Sequence, residues 1–259
     1  MTAATSVSVS DIAKPSMGAM KRRSILIPQS SNHRDKLKDA IKKKAIDEIV
    51  ELFVEAQQIG KTDTGIITMI LDHMKKRNTN AGEVLDWLLC NQHTLQYKTL
   101  LGYFYLHDIG TEIDTRKAYV FYLAAAKKDY PIAQYLLGEC YSSGSGTKAD
   151  EKLAFQWYQK AAEGGCTNGQ NWVGYCYEFG KGTEKDNNKA FTYYKKSSRQ
   201  GNMVGMHFLA DCYEKGTGTT KNIDMAIHYY SKAAKLGHEG SQFVLNKLLK
   251  ATNSPPLQI

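Results

Sequence analysis

Nowhere in the 259 residues does an uninterrupted apolar run approach the ~18 needed to cross a bilayer, so no membrane-spanning helix is expected. Residues 1–20 hold Ser, Ala and Thr but no continuous apolar core, so no secretory signal is expected either. The seven histidines (33, 73, 93, 107, 207, 228 and 238) form no H-x-x-x-H pair, and the five cysteines form no C-x-x-C. His207 and Cys212 lie five apart, a poor spacing for one helix face. No metal and no cofactor are expected. G-x-S-x-G, the phosphate loop and the dinucleotide fingerprint are all missing, and nothing in the chain asks for catalysis. His33-Arg34-Asp35 matches the catalytic-loop tripeptide of protein kinases, but position 40 is Ala where a magnesium-holding Asn belongs. It is a chance match.

Basic charge is also scarce where most of the chain lies. The formal charge is +8, yet residues 1–50 carry ten Lys/Arg against five Asp/Glu, leaving +3 for the other 209 residues. A continuous basic stripe with interleaved aromatics is absent, which argues against nucleic-acid binding along the body of the chain. Residues 1–33, rich in Ser, Thr and Ala and holding Pro15 and Pro28, read as a disordered arm. Within it, Lys21-Arg22-Arg23 reads as a nuclear signal, a kinase-recognition patch ahead of Ser24, or a solvated basic run. Cytoplasm, or nucleus through this run, is the expected location.

What the chain does have is a repeat of 36 residues. Gly102, Gly138 and Gly174 keep that spacing, with Ala210 in the fourth copy. Tyr105, Tyr141, Tyr177 and Tyr213 keep it too, as do Ala118, Ala154, Ala190 and Ala226, and Tyr122, Tyr158, Tyr194 and Tyr230. Each copy has an apolar first half, a glycine-rich break such as Gly144/Gly146, and a second half closed by Gly165, Gly201 or Gly237. The first half of one copy places Ala133, Leu137, Gly138 and Tyr141 on one helical stripe; the second places Ala154, Trp157, Tyr158, Ala161 and Ala162 on another. The small residues at 102, 138, 174 and 210 are expected to admit a neighbouring helix backbone. One such hairpin cannot cover its own apolar face, so copies must stack. The fold class is all-α: a right-handed solenoid.

Cys140, Cys176 and Cys212 obey the same period and occupy equivalent sites on consecutive first helices. Stacked helices lie about 8–10 Å apart, whereas a disulfide needs Cα atoms within about 7 Å. Buried free thiols are expected.

The pattern A-x-x-x-L-G-x-x-Y-x-x-G-x-G followed by K-A-x-x-x-Y-x-K-A-A-x-x-G resembles the Sel1-like repeat family of α-solenoids, over roughly residues 95 to 250. The second copy fits it almost everywhere. The first is the most degenerate, with Asp108 in place of the first loop glycine. Ahead of the array, three helices are expected: Asp35 to Ile59, Asp63 to Lys76, and one opened by a capping-box-like Asn80-Ala81-Gly82-Glu83. They read as a cap over the first repeat. The expected division is an arm (1–33), a helical cap (34–93), an array (94–130, 131–166, 167–202, 203–238 and a closing helix 239–250) and a flexible tail (251–259). The lead-in with Trp87-Leu88-Leu89 is also similar to the region after the kinase-like domain of fungal kinase–Sel1 proteins. That likeness implies a kinase or another signalling component as a partner.

The resemblance and the stacking together imply a scaffold that binds other proteins on a concave face, without enzymatic activity and without a small-molecule substrate. The 36-residue register puts Lys98, Tyr103, Gln134, Tyr135, Glu139, Asn171, Tyr175, Glu178, His207, Asp211 and Glu214 on the groove side of the first helices. Tyrosines among carboxylates suit basic or amphipathic peptide segments. Two other readings stay open: a hydrolase of the secreted Sel1-like type, and a nucleic-acid or organelle-targeted role through the basic arm.

Overall fold

The computed structural model describes residues 33–251, which form twelve α-helices and no strand. The expectations for residues 1–32 and 252–259 fall outside the described residues. The whole repeat array lies in one compact unit that begins at Lys42, within the first helix. Three helices lead in: α1 (His33–Ile59), α2 (Asp63–Lys76) and α3 (Ala81–Cys90). Four pairs come next: α4 (Leu95–Leu106) with α5 (Thr115–Ala126), α6 (Pro131–Ser143) with α7 (Glu151–Glu163), α8 (Thr167–Phe179) with α9 (Asn187–Arg199), and α10 (Met203–Lys215) with α11 (Ile223–Lys235). A single helix, α12 (Glu239–Ala251), closes the array.

The period of 36 recurs in the caps. Asp114, Asp150, Asp186 and Asn222 open the four second helices, each side chain accepting a backbone N–H three residues on at 2.9–3.0 Å. Such caps satisfy donors the helix cannot, at about 1 kcal/mol each. At the start of α3 the Asn80 side chain accepts from the Glu83 N–H, and its amide donates to the Glu83 carboxylate. This departs from the expected capping box, because the return bond reaches the Asn80 side chain rather than its backbone N–H.

Two glycine columns explain how the repeats fit. A Cβ added at Gly102, Gly138 or Gly174 would lie 2.7, 2.5 or 2.7 Å from ring atoms of Tyr122, Tyr158 or Tyr194. The small residue therefore receives a tyrosine ring of the second helix, not a helix backbone as expected. Gly146, Gly182 and Gly218 have φ near +70°, and a Cβ there would lie 2.0–2.1 Å from the carbonyl oxygens of Thr115, Glu151 and Asn187. Each of those carbonyls starts the second helix of the preceding repeat. The loop is thus pressed backbone to backbone onto its neighbour, which only glycine allows.

Tyr122, Tyr158, Tyr194 and Tyr230 fill the space between the helices of each pair and are almost fully buried. First helices of adjacent repeats touch one another, α6 with α8 and α8 with α10, which sets them on the tighter, inner side of the curve. Cys140, Cys176 and Cys212 are buried and free, and burial pushes each thiol up to about 12. Reducing agent should therefore leave the melting temperature unchanged. A fall of more than ~5 °C would instead reveal a bridge, typically a stabilisation of ~2–4 kcal/mol.

Candidate functional site

Three columns of first-helix positions recur at the 36-residue spacing. Thr99, Tyr135, Asn171 and His207 form one; Tyr103, Glu139, Tyr175 and Asp211 form the next; Ser142, Glu178 and Glu214 form the third. Second-helix tyrosines meet these columns from behind. The Tyr194 hydroxyl donates to Glu178 at 2.8 Å and the Tyr230 hydroxyl to Glu214 at 2.9 Å. Tyr158 finds Ser142 at the equivalent position and donates instead to Glu139, one helical turn earlier. In the first repeat that turn offers Leu106 and Tyr103, and the buried Tyr122 hydroxyl has no hydrogen-bond partner.

The inner face is not wholly open. The last turn of α1, with Gln57 and Gln58, forms an elbow that reaches the starts of α8 and α10. The Gln58 carbonyl accepts from Thr167 Oγ1 (2.6 Å) and Asn202 Nδ2 (3.2 Å), and Gln57 Oε1 accepts from Asn168 Nδ2 (2.9 Å). The lead-in helices also cover the first repeat: Phe53 lies 5.0 Å from Tyr103 between ring centres, and Trp87 lies 5.4 Å from Tyr97.

The expected groove residues divide by burial. Tyr103 is fully buried, its hydroxyl donating to Asp63 Oδ1 at 3.0 Å. Gln134 is buried and donates to the Ala126 carbonyl and to Asp129. Asn171 is buried and donates to Asn202 Oδ1 at 2.7 Å. These three serve the interior. Lys98, Tyr135, Glu139, Tyr175, Glu178, His207, Asp211 and Glu214 are half-buried, with part of each side chain reaching solvent. Asp211 pairs with Lys215 at 2.8 Å, and His207 shares the Ser241 hydroxyl with His238, each at 2.9 Å. Trp172 joins the open stretch between Tyr158 (5.5 Å) and Tyr175 (5.2 Å), a residue that sequence reasoning missed. Its position in the third repeat falls beside the Tyr135/Asn171/His207 column, a signal the 36-residue register carries.

Glu139 is the electrostatic centre of this stretch. Burial pushes its carboxyl up to about 7, nearby Asp63 pushes the same way, and only the Tyr158 hydroxyl holds it down. Its folded value lies above the ordinary 4.5, so between about pH 4.5 and 7 the unfolded chain loses a proton that the folded chain keeps. Stability supplied by the neutral form is present at low pH and lost as pH rises through that window. Glu139→Gln should remove this loss and gain up to about 2 kcal/mol over the wild type between pH 5 and pH 8. Urea unfolding of both chains at the two pH values checks it; parallel pH profiles would contradict it.

Among the described residues, no three His, Cys, Asp or Glu side chains come together as a metal site, and no helix is long and apolar enough to cross a membrane. The site is a curved polar and aromatic face on stacked helix pairs, the architecture of a helical-repeat scaffold. A model of the Sel1 repeat matches residues 98–130, 131–166, 167–202 and 204–238. The chain belongs to the Sel1 repeat family, whose members are generally protein-interaction scaffolds and typically not enzymes. No curated protein matches the sequence. Among solved structures, a Sel1 repeat protein from Oxalobacter formigenes is similar at 27% identity and TM-score 0.60, over 65% of this chain and 70% of that one. The fold is also that of c5321, a protective antigen of uropathogenic Escherichia coli with an SLR fold (23% identity, TM-score 0.60). That match spans 88% of this chain but 54% of the antigen.

Proposed function

We propose that this chain is a non-enzymatic adaptor that holds partner proteins along its concave face, in signalling or in the assembly of a complex. The observation that carries the reading is the open inner row of Tyr135, Glu139, Trp172, Tyr175, Glu178, Asp211 and Glu214, all half-buried. Because Tyr103 and Asn171 are buried, the binding stretch is centred on the second and third repeats and continues into the fourth. Tyrosine supplies contact area at low entropic cost, and the carboxylates favour basic or amphipathic segments. A kinase or another signalling component is the partner class suggested by the likeness to fungal kinase–Sel1 proteins.

Changing Tyr135 and Tyr175 together to Ala should weaken partner capture by about 2 kcal/mol or more while leaving the melting curve nearly in place. A pull-down paired with a thermal melt checks both halves. Full capture by that variant, with capture lost when Lys21, Arg22 and Arg23 are changed, would move the binding site to the arm.

A further inference from the structure

Glu139 is a half-buried carboxylate with no cation paired to it among the described residues. Its one hydrogen bond comes from the neutral Tyr158 hydroxyl, and it takes part in none of the ion pairs among the described residues. The charge that bears on it is Asp63, of the same sign. Asp211, at the equivalent position two repeats on, does have its cation, Lys215. A buried carboxylate without a counter-charge costs stability, so its presence beside an open face points to a cation arriving from elsewhere.

The rings around it fit such a cation. Tyr135 lies 6.3 Å from Tyr158, Tyr158 stacks on Trp172 at 5.5 Å and 13°, and Trp172 meets Tyr175 edge-on at 5.2 Å. Elsewhere the chain covers its own rings with lysines: Lys117 on Tyr105, Lys160 on Trp157, Lys189 on Tyr177, Lys195 on Phe191 and Lys232 on Tyr229. Tyr135, Tyr158, Trp172 and Tyr175 are not among the rings so covered. A flat guanidinium can stack on an indole or phenol face while its N–H groups donate to a carboxylate, which a compact ammonium does less well.

We infer that the half-buried face carrying Glu139, Tyr135, Trp172 and Tyr175 receives one arginine side chain of a partner protein, the guanidinium donating to Glu139 and lying against the aromatic run. This rests on the adaptor reading of the same face and names the anchor it recognises. The test uses the full chain and the peptide acetyl-Ala-Ala-Arg-Ala-Ala-amide, with citrulline and lysine versions, followed by the indole N–H resonance of Trp172. Citrulline keeps the planar shape of arginine but loses its charge, with a carbonyl acceptor in place of one NH2 donor group. Saturable shifts are expected with the arginine peptide, weaker by about tenfold or more with citrulline or in Glu139→Gln, and unchanged in Glu163→Gln, at an exposed second-helix position. Lysine should fall between arginine and citrulline. Equal binding of arginine and citrulline, equal binding by Glu139→Gln with its fold intact by thermal melt, or no saturable shift would overturn the inference. Two failures remain distinguishable. Partner capture that is lost in Tyr135/Tyr175→Ala but kept in Glu139→Gln would leave the adaptor and remove the arginine anchor. Specific binding of the arginine peptide, with capture intact in Tyr135/Tyr175→Ala, would do the reverse.

Discussion

Replacing Asn202 with Ala is expected to destabilise the chain by about 3–4 kcal/mol, although the residue lies between helices and belongs to no hydrophobic cluster. Its side chain is fully buried. The Oδ1 atom caps α10, accepting from the Val204 and Gly205 N–H groups at 3.0 Å, and it accepts a third bond from Asn171 at 2.7 Å. The two N–H groups of Nδ2 are shared among the Gln58 carbonyl, Thr167 Oγ1 and Asn168 Oδ1. Truncation removes a cap, typically ~1 kcal/mol, and strands buried partners at ~1–3 kcal/mol each, partly relieved by water. Asn202→Asp separates the two halves of the role. It can still cap α10, but it cannot make those donations and places a carboxylate in the same buried spot. Urea unfolding should show both variants well below the wild type, and limited proteolysis should find the turn around Gln58–Lys61 newly cleavable. A loss under ~1 kcal/mol with that turn still protected would mean the elbow is not held as described.

The second large effect belongs to Tyr158. Its ring is 1% exposed, occupies the space that Gly138 leaves, and stacks on Trp172. Tyr158→Ala should cost about 3–5 kcal/mol, as truncation of large core side chains does. It also removes the one hydrogen bond to the Glu139 carboxylate. Phe155, buried on the same helix and edge-on to Tyr177 at 5.4 Å, should lose a similar amount when truncated. Tyr135 and Tyr175, on the inner face, should lose much less stability and most of the binding. A melt series across these four positions separates the fold from the function. Equal destabilisation at all four would deny that the inner row is spare surface.

The repeat was fully legible in the sequence because one period governs every residue that faces a neighbouring copy. Tyr158 and its three equivalents stand out for that reason, and so does the glycine column. The partner of that column was misjudged: spacing shows that something must come close, but not whether it is a backbone or a ring. The caps at Asp114, Asp150 and Asp186 were equally periodic and lay outside the apolar pattern used to find the helices. The elbow had no signal at all. Gln57 and Gln58 meet Thr167, Asn168 and Asn202 across more than 100 residues, through single polar contacts in the two repeats they touch. Asn202 itself breaks the period, since Tyr130 and Cys166 stand at the equivalent positions and make no side-chain cap. Tyr103, Gln134 and Asn171 were drawn into the interior by different partners, Asp63, Ala126 with Asp129, and Asn202, while the rest of the row stayed half-buried.

The claim that partners bind on the inner face is tested most directly by placing a photo-crosslinking residue at one of two positions in the full chain. Tyr175 lies on the inner row of α8, half-buried, and Gln156 lies exposed on α7, a second helix. Irradiation in cells should yield a discrete crosslinked partner from position 175 and none from position 156. The same partner recovered from position 156 and not from 175 would contradict a concave binding face.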